Sequence, residues 1–435
     1  MIKLFSAFTG IGSPEMALKN IGVDFELVGM SEVDRYALIA YDAIHNDGHI
    51  KVPKVSKEEM LAEFERANIG YNFSTYKSEI PKGIKDIRKL YYAHMANKNF
   101  GDITKIDVDT MPDFDMFTYS FPCKNISVAG MQAGFEKGSE TQSSLLWECG
   151  RIIPAKRPKY LMMENVKNLV GKNHLADFKD WIEVLDGYGY NSYWSVLNGK
   201  HYGVPQNRER VIMISILKEC DDGYFAMPKN DVCDVALREV LEEDVDSHYF
   251  LKPESYAHLT DDLPNQDIAY CIDASYYKGA SVDTFMKKKR RTLIQVGNAD
   301  KVVHSRTRVY HEEGICPTLT SMNGGDRQPK VLTDVVGVAR RGRHDADGNY
   351  YKNIEERKDE VSNSLTTVKN DSLVKVDYKV RRLTPLECWR LMGYRDSDFE
   401  KAKDIGGLSN TKLYERAGMG IVVPMLEEVF SNLFK

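Results

Sequence analysis

The chain has 435 residues, more than a single hydrophobic core usually serves, so two domains are expected. Hydrophobic residues at 42% and charged residues at 28% exclude extensive disorder, and a net charge of −5 excludes a uniformly basic coat while leaving room for a local basic cleft. Seven cysteines without a C-x-x-C pair point to free thiols and no metal site, and the opening Met1-Ile2-Lys3-Leu4 lacks a signal-peptide layout, so a cytoplasmic protein that does not enter a membrane is expected.

In chain order, Leu4 to Phe8 reads as a buried strand ending in Thr9-Gly10-Ile11-Gly12-Ser13-Pro14. Ser13 is placed to cap a helix, Pro14 to occupy its first position and Gly22 to end it. Glycines in such a turn let the backbone approach a ligand, and the exposed N–H groups at the helix start favour a negative group. A second strand, Phe25 to Met30, leads to Ser31-Glu32-Val33-Asp34, which puts Glu32 about 20 residues beyond Gly12, a spacing at which an acid can accept from ribose hydroxyls. The third glycine of a dinucleotide fingerprint is replaced by Glu15, which favours other nucleoside cofactors over NAD or FAD.

Residues 45–100 read as a helical insertion, with helices at Ser56 to Ala67, opened by a Ser56/Glu59 capping box, and at Ile84 to Ala96. Gly101-Asp102-Ile103-Thr104 ends it, and Asp102 is either a turn residue or an acceptor for an adenine amino group. A strand from Phe114 to Tyr119 then breaks at Phe121-Pro122-Cys123, leaving the Cys123 thiol at the carboxyl end of a strand, where open α/β sheets bind ligands. Most lone cysteines are small buried hydrophobes, so Cys123 gains meaning only from partners.

A helix around Ser143 to Ile153 and a strand from Lys159 to Met163 bring Glu164-Asn165-Val166 to the same sheet edge, where a partly buried glutamate is placed to donate a proton. A surface glutamate capping a turn is the competing reading. After a helix (Asp177 to Leu185) and a strand (Tyr190 to Leu197), the run Gln206-Asn207-Arg208-Glu209-Arg210 precedes the apolar Val211 to Ile216. Arg208 and Arg210 alternate and are expected on one strand face, gripping an anion or forming structural ion pairs. From Cys220 to about Val376 strands become short, turn residues rise, and basic clusters include Arg306 with Arg308 and Arg340 with Arg341. The tail then returns to the first composition, with helices opening at Thr384-Pro385 and after Gly418-Met419-Gly420.

The ordered set Phe8-Thr9-Gly10-Ile11-Gly12, Glu32 with Asp34, Gly101-Asp102-Ile103, Phe121-Pro122-Cys123 with Ser127, Glu164-Asn165-Val166, Gln206-x-Arg208-x-Arg210 and Arg382-Leu383-Thr384-Pro385-x-Glu387 resembles the DNA cytosine-5 methyltransferase family. Short motifs of this kind are individually weak, but their shared order is not. The resemblance implies an α/β fold: a Rossmann-like S-adenosylmethionine-dependent methyltransferase domain with a mixed, mostly parallel sheet and an inserted, smaller, β-rich target-recognition domain. The expected division is a catalytic domain over 1–218, a recognition domain over 219–377, and a segment 378–435 that returns to the catalytic domain.

It also implies roles. Cys123 would be the nucleophile for cytosine C6, Glu164 the donor to N3, and Asn165 a companion; Arg208 would hold the target base and Arg210 the catalytic loop or acid. Phe8, Gly10, Gly12, Glu32, Val33, Asp102 and Ile103 would line the S-adenosylmethionine site, and Ser127, Gln206, Arg306, Arg308, Arg340 and Arg341 would contact DNA. The target base would have to be flipped out of the duplex. The expected partners are double-stranded DNA and a cognate restriction endonuclease acting on the same site, with the enzyme itself a monomer from a prokaryotic or phage modification system. A catalytically silent DNA-binding protein on the same scaffold and an RNA cytosine-5 methyltransferase are the alternatives. Lys124, Val33, Met419 and Ser6 stand where the family usually has Gln, Trp, Asn and an acid.

Overall fold

A computed structural model describes residues 1–48, 53–72, 77–122, 145–231, 235–249, 295–298, 308–311, 316–317, 330–333, 336–344, 350–356, 373–375 and 379–435. The chain divides into two compact units, one holding Met1–Val235 and Pro385–Lys435, the other Ala236–Pro317 and Asp326–Thr384. The first boundary lies beyond the expected residue 218 because the following stretch is tied to the sheet: Asp221 accepts from Asn191 Nδ2 (2.6 Å) and the Tyr193 hydroxyl (2.7 Å), and Lys229 O from the Tyr202 hydroxyl (3.0 Å). The last boundary lies beyond 378 because Lys379–Arg382 pairs antiparallel with Lys330–Thr333 inside the second unit.

The first unit runs β1 (Ile2–Ala7), α1 (Ser13–Asn20), β2 (Phe25–Ser31), α2 (Arg35–Asn46), α3 (Lys57–Ala67), β3 (Tyr71–Asn72), β4 (Lys77–Ser78), α4 (Ile84–Ala96), β5 (Met116–Tyr119), α5 (Leu146–Lys156), β6 (Tyr160–Val166), α6 (Leu175–Gly187), β7 (Tyr190–Asn198), β8 (Gln206–Asn207) and β9 (Glu209–Leu217). Six strands form one sheet in the order β2-β1-β5-β6-β9-β7, in which only β9 opposes its neighbours. The sheet is therefore mixed and mostly parallel, as expected of a Rossmann-like methyltransferase. Phe5, Phe117, Leu161 and Met213 are buried in one layer with Cys149, Ile152, Phe178 and Trp181 from α5 and α6. Burying each such side chain is worth about 1.5–3 kcal/mol, so the sheet position is well determined.

Register decides where function falls. Ala7 lies opposite both Ser31 and Tyr119, so β1, β2 and β5 end level with one another, and with Tyr119 opposite Met163, β6 runs three residues further, to Val166. The glycine turn, Glu32 and Phe121-Pro122 leave the sheet at that edge, where Glu164 and Asn165 form the projecting end of β6, paired with Ile212 and Val211 of β9. Because β9 is antiparallel, its start is brought there too, with Val166 opposite Arg210.

The insertion contains the two helices read from the sequence, including the Ser56/Glu59 capping box. It begins later than residue 45, because α2 runs through Asn46 and packs Leu38 and Tyr41 against Met60, Phe64, Ile87 and Leu90 of α3 and α4. At α1 the cap differs from expectation: Gly12, at φ +78°, takes the cap position, and the Ser13 hydroxyl instead bonds the Tyr394 hydroxyl (2.8 Å) and accepts from Ile421 N (3.1 Å). The return segment carries helices Pro385–Arg390, Asn410–Met419 and Val423–Leu433, the last packed along α1. In the second unit, Gln295–Asn298, Arg308–His311, Lys330–Thr333 and Lys379–Arg382 form a four-stranded sheet, and Tyr350–Glu356, Val336–His344 and Leu373–Lys375 a three-stranded one. Among the described residues no helix is long and apolar enough to cross a membrane.

Candidate active site

The glycine turn is held open from both sides. Phe8, Gly10 and Gly12 all have positive φ (55°, 60° and 78°), so the chain between β1 and α1 doubles back on itself. A Cβ at Gly10 would meet nothing within 4 Å, which leaves open space on that side of the turn. One at Gly12 would lie 2.4 Å from His45 Nε2 and 2.6 Å from the Tyr41 ring, so the turn rests directly on α2. His45 Nε2 donates to Ile11 O (3.1 Å), and burial pushes its pKa down to about 4, which keeps the ring neutral. Glu32 closes the other side: Oε2 accepts from Gly10 N (2.8 Å), and Oε1 from Val33 N and Asp34 N (2.8 Å each). Burial, then the Asp34 charge, raise the Glu32 pKa.

Asp102 is also built in. Its Oδ1 accepts from Thr104 N (3.0 Å) and the Thr104 hydroxyl (2.9 Å), while Oδ2 accepts from Asn68 Nδ2 (2.8 Å), so it orders the turn and ties it to the end of α3. Ile103 is 2% exposed and part of the core, and its carbonyl accepts from Arg151 Nη2 (3.0 Å). Val33 is half-buried beside Glu32. An open glycine turn flanked by two carboxylates, with room above Gly10, fits a nucleoside with free ribose hydroxyls and an exocyclic amine.

Two strands along the sheet from β1, the end of β6 carries Glu164 and Asn165, and Asn165 reaches the residues that follow β5. Asn165 Nδ2 donates to Phe121 O (3.0 Å) and its Oδ1 accepts from Val166 N (2.8 Å), which fixes the backbone two residues before position 123. Glu164 is 9% exposed and its Oε1 lies 2.9 Å from Arg210 Nε, in an ion pair sheltered from water. Cys123, Ser127 and Arg306 lie outside the described residues. Arg308 is in the strand Arg308–His311, and Arg340 and Arg341 are successive residues of Val336–His344, opposite Ile354 and Asn353.

The chain as a whole is similar to known proteins. The profile of the C-5 cytosine-specific DNA methylases matches residues 60–435. The chain belongs to this family. It is 37% identical to the type II methyltransferase M2.ScrFI of Lactococcus lactis subsp. cremoris, over 100% of this chain and 99% of that protein. It is 29% identical to the orphan methyltransferase M.SPBetaI of Bacillus phage SPbeta, over 99% of this chain and 97% of the other. Among solved structures, the Dnmt2 methyltransferase of S. pombe aligns over 99% of this chain and 97% of its own, with a TM-score of 0.53 at 14% identity, a likeness of fold. As a member of the C-5 cytosine-specific DNA methylases, the chain is a DNA cytosine methyltransferase that uses S-adenosylmethionine.

Two expectations for this methylase are corrected. Gln206 is fully buried and its Nε2 donates to Leu391 O (2.7 Å), so it secures the return segment and does not face DNA. Arg208 and Arg210 do not form a pair on one face. The strand breaks at Arg208, whose N–H bonds back to Gln206 O (3.0 Å), and its Nη2 donates to Gly418 O (2.9 Å) and Gly420 O (2.7 Å). At 2% exposure Arg208 braces the tail, while Arg210 reaches Glu164 at the end of β6.

Sequence reasoning missed Asn99, which accepts from Glu32 N (3.0 Å) and donates to Glu32 O (2.9 Å), orienting the acid. An asparagine at the end of an insertion carries no signal that separates it from a loop residue. It also missed the burial of Glu15, whose pKa is raised to about 7 by burial against weaker opposing hydrogen bonding from the backbone, Ser6 and Tyr41.

Proposed function

We propose that the methylase attacks cytosine C6 with Cys123, two residues beyond the Phe121 carbonyl that accepts from Asn165 Nδ2 (3.0 Å), and that Glu164, paired with Arg210 (2.9 Å), assists at N3. The adjacency of Asn165, bonded to the residue two before Cys123, and the sheltered Glu164–Arg210 pair on one strand is the observation that supports the assignment. Cytosine C5 is a poor nucleophile until a thiolate adds at C6 and a proton or hydrogen bond is supplied at N3. Glu164 lies beside that position and donates there, and Arg210 keeps its carboxyl from turning away. When bound, S-adenosylmethionine supplies the methyl group for C5. Loss of the C5 proton to a base then lets the Cys123–C6 bond break, restoring the double bond and the thiol. Glu32, Asp102 and the turn from Phe8 to Gly12 would hold the cofactor's ribose and adenine, with Val33 and Ile103 among the residues lining the site.

The second unit reads the target. Arg308, Arg340 and Arg341, and Ser127 and Arg306 outside the described residues, contact DNA, their cations following phosphates while loops read base edges. The length of this unit favours a recognition sequence longer than a dinucleotide. The relatives named type II and orphan methyltransferases support a modification enzyme of a prokaryote or phage, with or without a cognate endonuclease. A monomer acting in the cytoplasm is part of the same proposal.

The test is transfer of labelled methyl to duplex DNA followed by nucleoside analysis. Cys123→Ala abolishes transfer, and the native enzyme becomes covalently trapped on DNA containing 5-fluorocytosine. Retained transfer by Cys123→Ala defeats the covalent assignment, and modification of every CpG in an expressing host defeats the longer recognition sequence.

A further inference from the structure

Arg416 belongs to none of the motifs above, yet it is the buried cation nearest the cofactor acids. It stands on the helix Asn410–Met419 with its side chain 2% exposed, and its Nη2 lies 2.9 Å from Asp34 Oδ2, across 382 residues of sequence. The same nitrogen is 3.2 Å from Glu415 Oε1 and bonds the Met419 sulfur at 3.5 Å. Its Nε is buried without a hydrogen-bond partner, so the residue is held there by charge.

What Arg416 holds matters. Asp34 uses its other oxygen to cap α2, accepting from Tyr36 N (2.8 Å) and Ala37 N (3.1 Å). Its own N–H, together with those of Val33 and Gly10, binds the Glu32 carboxylate. One carboxylate therefore sets the glycine turn and the neighbouring one anchors the loop that carries it. The groups facing this cluster are Glu32 and Asp34 from the β2–α2 loop, and Arg416 and Glu415 from the return helix, with Lys412 on Glu415 (2.8 Å). Three acids thus share Arg416, and without it Glu32 and Asp34 would be two half-buried like charges two residues apart.

We propose that Arg416 is a positioning residue for the cofactor: from the return segment it locks the Glu32–Asp34 loop in the geometry that receives the ribose. The inference rests on the reading of Glu32 as the ribose acceptor. Burial would raise the Asp34 pKa, but Arg416 and the α2 N–H groups outweigh it and lower it, while Arg416 also restrains the rise at Glu32. Removing the guanidinium lets Glu32 take a proton at higher pH, losing both an acceptor for ribose and its grip on Gly10 N.

The experiment uses the full chain. Binding of S-adenosylmethionine is measured by calorimetry, and methyl transfer at saturating cofactor, for Arg416→Gln, Arg416→Lys, Asp34→Asn and Glu32→Gln across the acid-to-neutral range. Arg416→Gln should weaken cofactor binding on the order of tenfold, the loss of a charge-assisted bond. Its turnover at saturation should stay within about twofold. The acid limb of affinity should move up by roughly one pH unit. Arg416→Lys should recover most of the affinity, and Asp34→Asn should reproduce the loss with Arg416 intact. Unchanged affinity and an unmoved acid limb in both Arg416→Gln and Asp34→Asn overturn the proposal, even where melting temperature falls. If Glu32→Gln leaves affinity intact, it is the placement of the ribose at Glu32 that fails.

Discussion

Replacing Glu15 by Gln isolates one buried carboxyl beneath the cofactor turn. Glu15 is fully buried on the first turn of α1, and neither carboxyl oxygen is in a hydrogen bond of full geometry. The Ser6 and Tyr41 hydroxyls offset burial only partly, so the pKa rises from 4.5 to about 7. The folded-state value lies above the unfolded one, so the contribution of the protonated carboxyl is full below pH 4.5 and lost as pH rises through about 7. At about 1.4 kcal/mol per pH unit, the loss is roughly 3 kcal/mol, an upper figure for a site that can relax. Gln has the same shape and cannot ionise. It should therefore match the native protein at about pH 5 and exceed it by up to roughly 3 kcal/mol at about pH 8. Urea unfolding followed by tryptophan fluorescence reports the right unit, because Trp147, Trp181, Trp194 and Trp389 all lie in the first one. His45 has the opposite sign, losing stability as pH falls from 6.5 toward about 4, and cancels in the comparison of the two proteins. A difference that stays constant over this pH range refutes the account of Glu15.

Three further outcomes follow from the packing. Gly101→Ala should lower stability by more than about 2 kcal/mol in thermal unfolding, because φ is +81° and the new Cβ would lie 2.1 Å from Ala67 O. Arg210→Met should cut the turnover of methyl transfer by at least roughly 100-fold by leaving Glu164 unpaired, while DNA affinity measured by anisotropy changes little. Gln206→Ala should cost about 1–3 kcal/mol of stability by leaving the Leu391 carbonyl short of a donor, yet bind duplex DNA as the native protein does; weaker DNA binding with unchanged stability would restore the DNA-contact reading of this residue.

The parts of the fold that could be read from the sequence are those that repeat a local pattern. β1, β5, β6 and β9 are short apolar runs bounded by turn residues, and α3 announces itself by its capping box. The positions of Glu32 and Glu164 at one sheet edge were legible because a motif tied each of them to a strand end. Gln206 and Arg208 were misread because polar residues near an active site look the same in sequence whether they face a ligand or a distant carbonyl. Only the return of the chain over 185 and 210 residues, to Leu391 and to Gly418, separates the two cases.

That return also explains why the tail cannot be understood as a packing element alone. Val423–Leu433 is an amphipathic helix whose Val423, Met425, Leu426, Val429 and Phe430 are buried, and apolar burial would suffice to dock it on α1. Yet it is accompanied by buried and half-buried polar bonds, Ser13 with Tyr394 and Ile421, Asn20 with Glu427, Arg208 with Gly418 and Gly420, and Arg416 with Asp34. Such bonds add little net stability, because each side gives up water to form them, but they are costly to mismatch. Apolar contact alone would tolerate sliding of the tail along α1, whereas these bonds accept one register. Each of their N-terminal partners lies in α1, next to Glu32, or in the link into β9, so the register they impose is that of the cofactor turn and the catalytic edge.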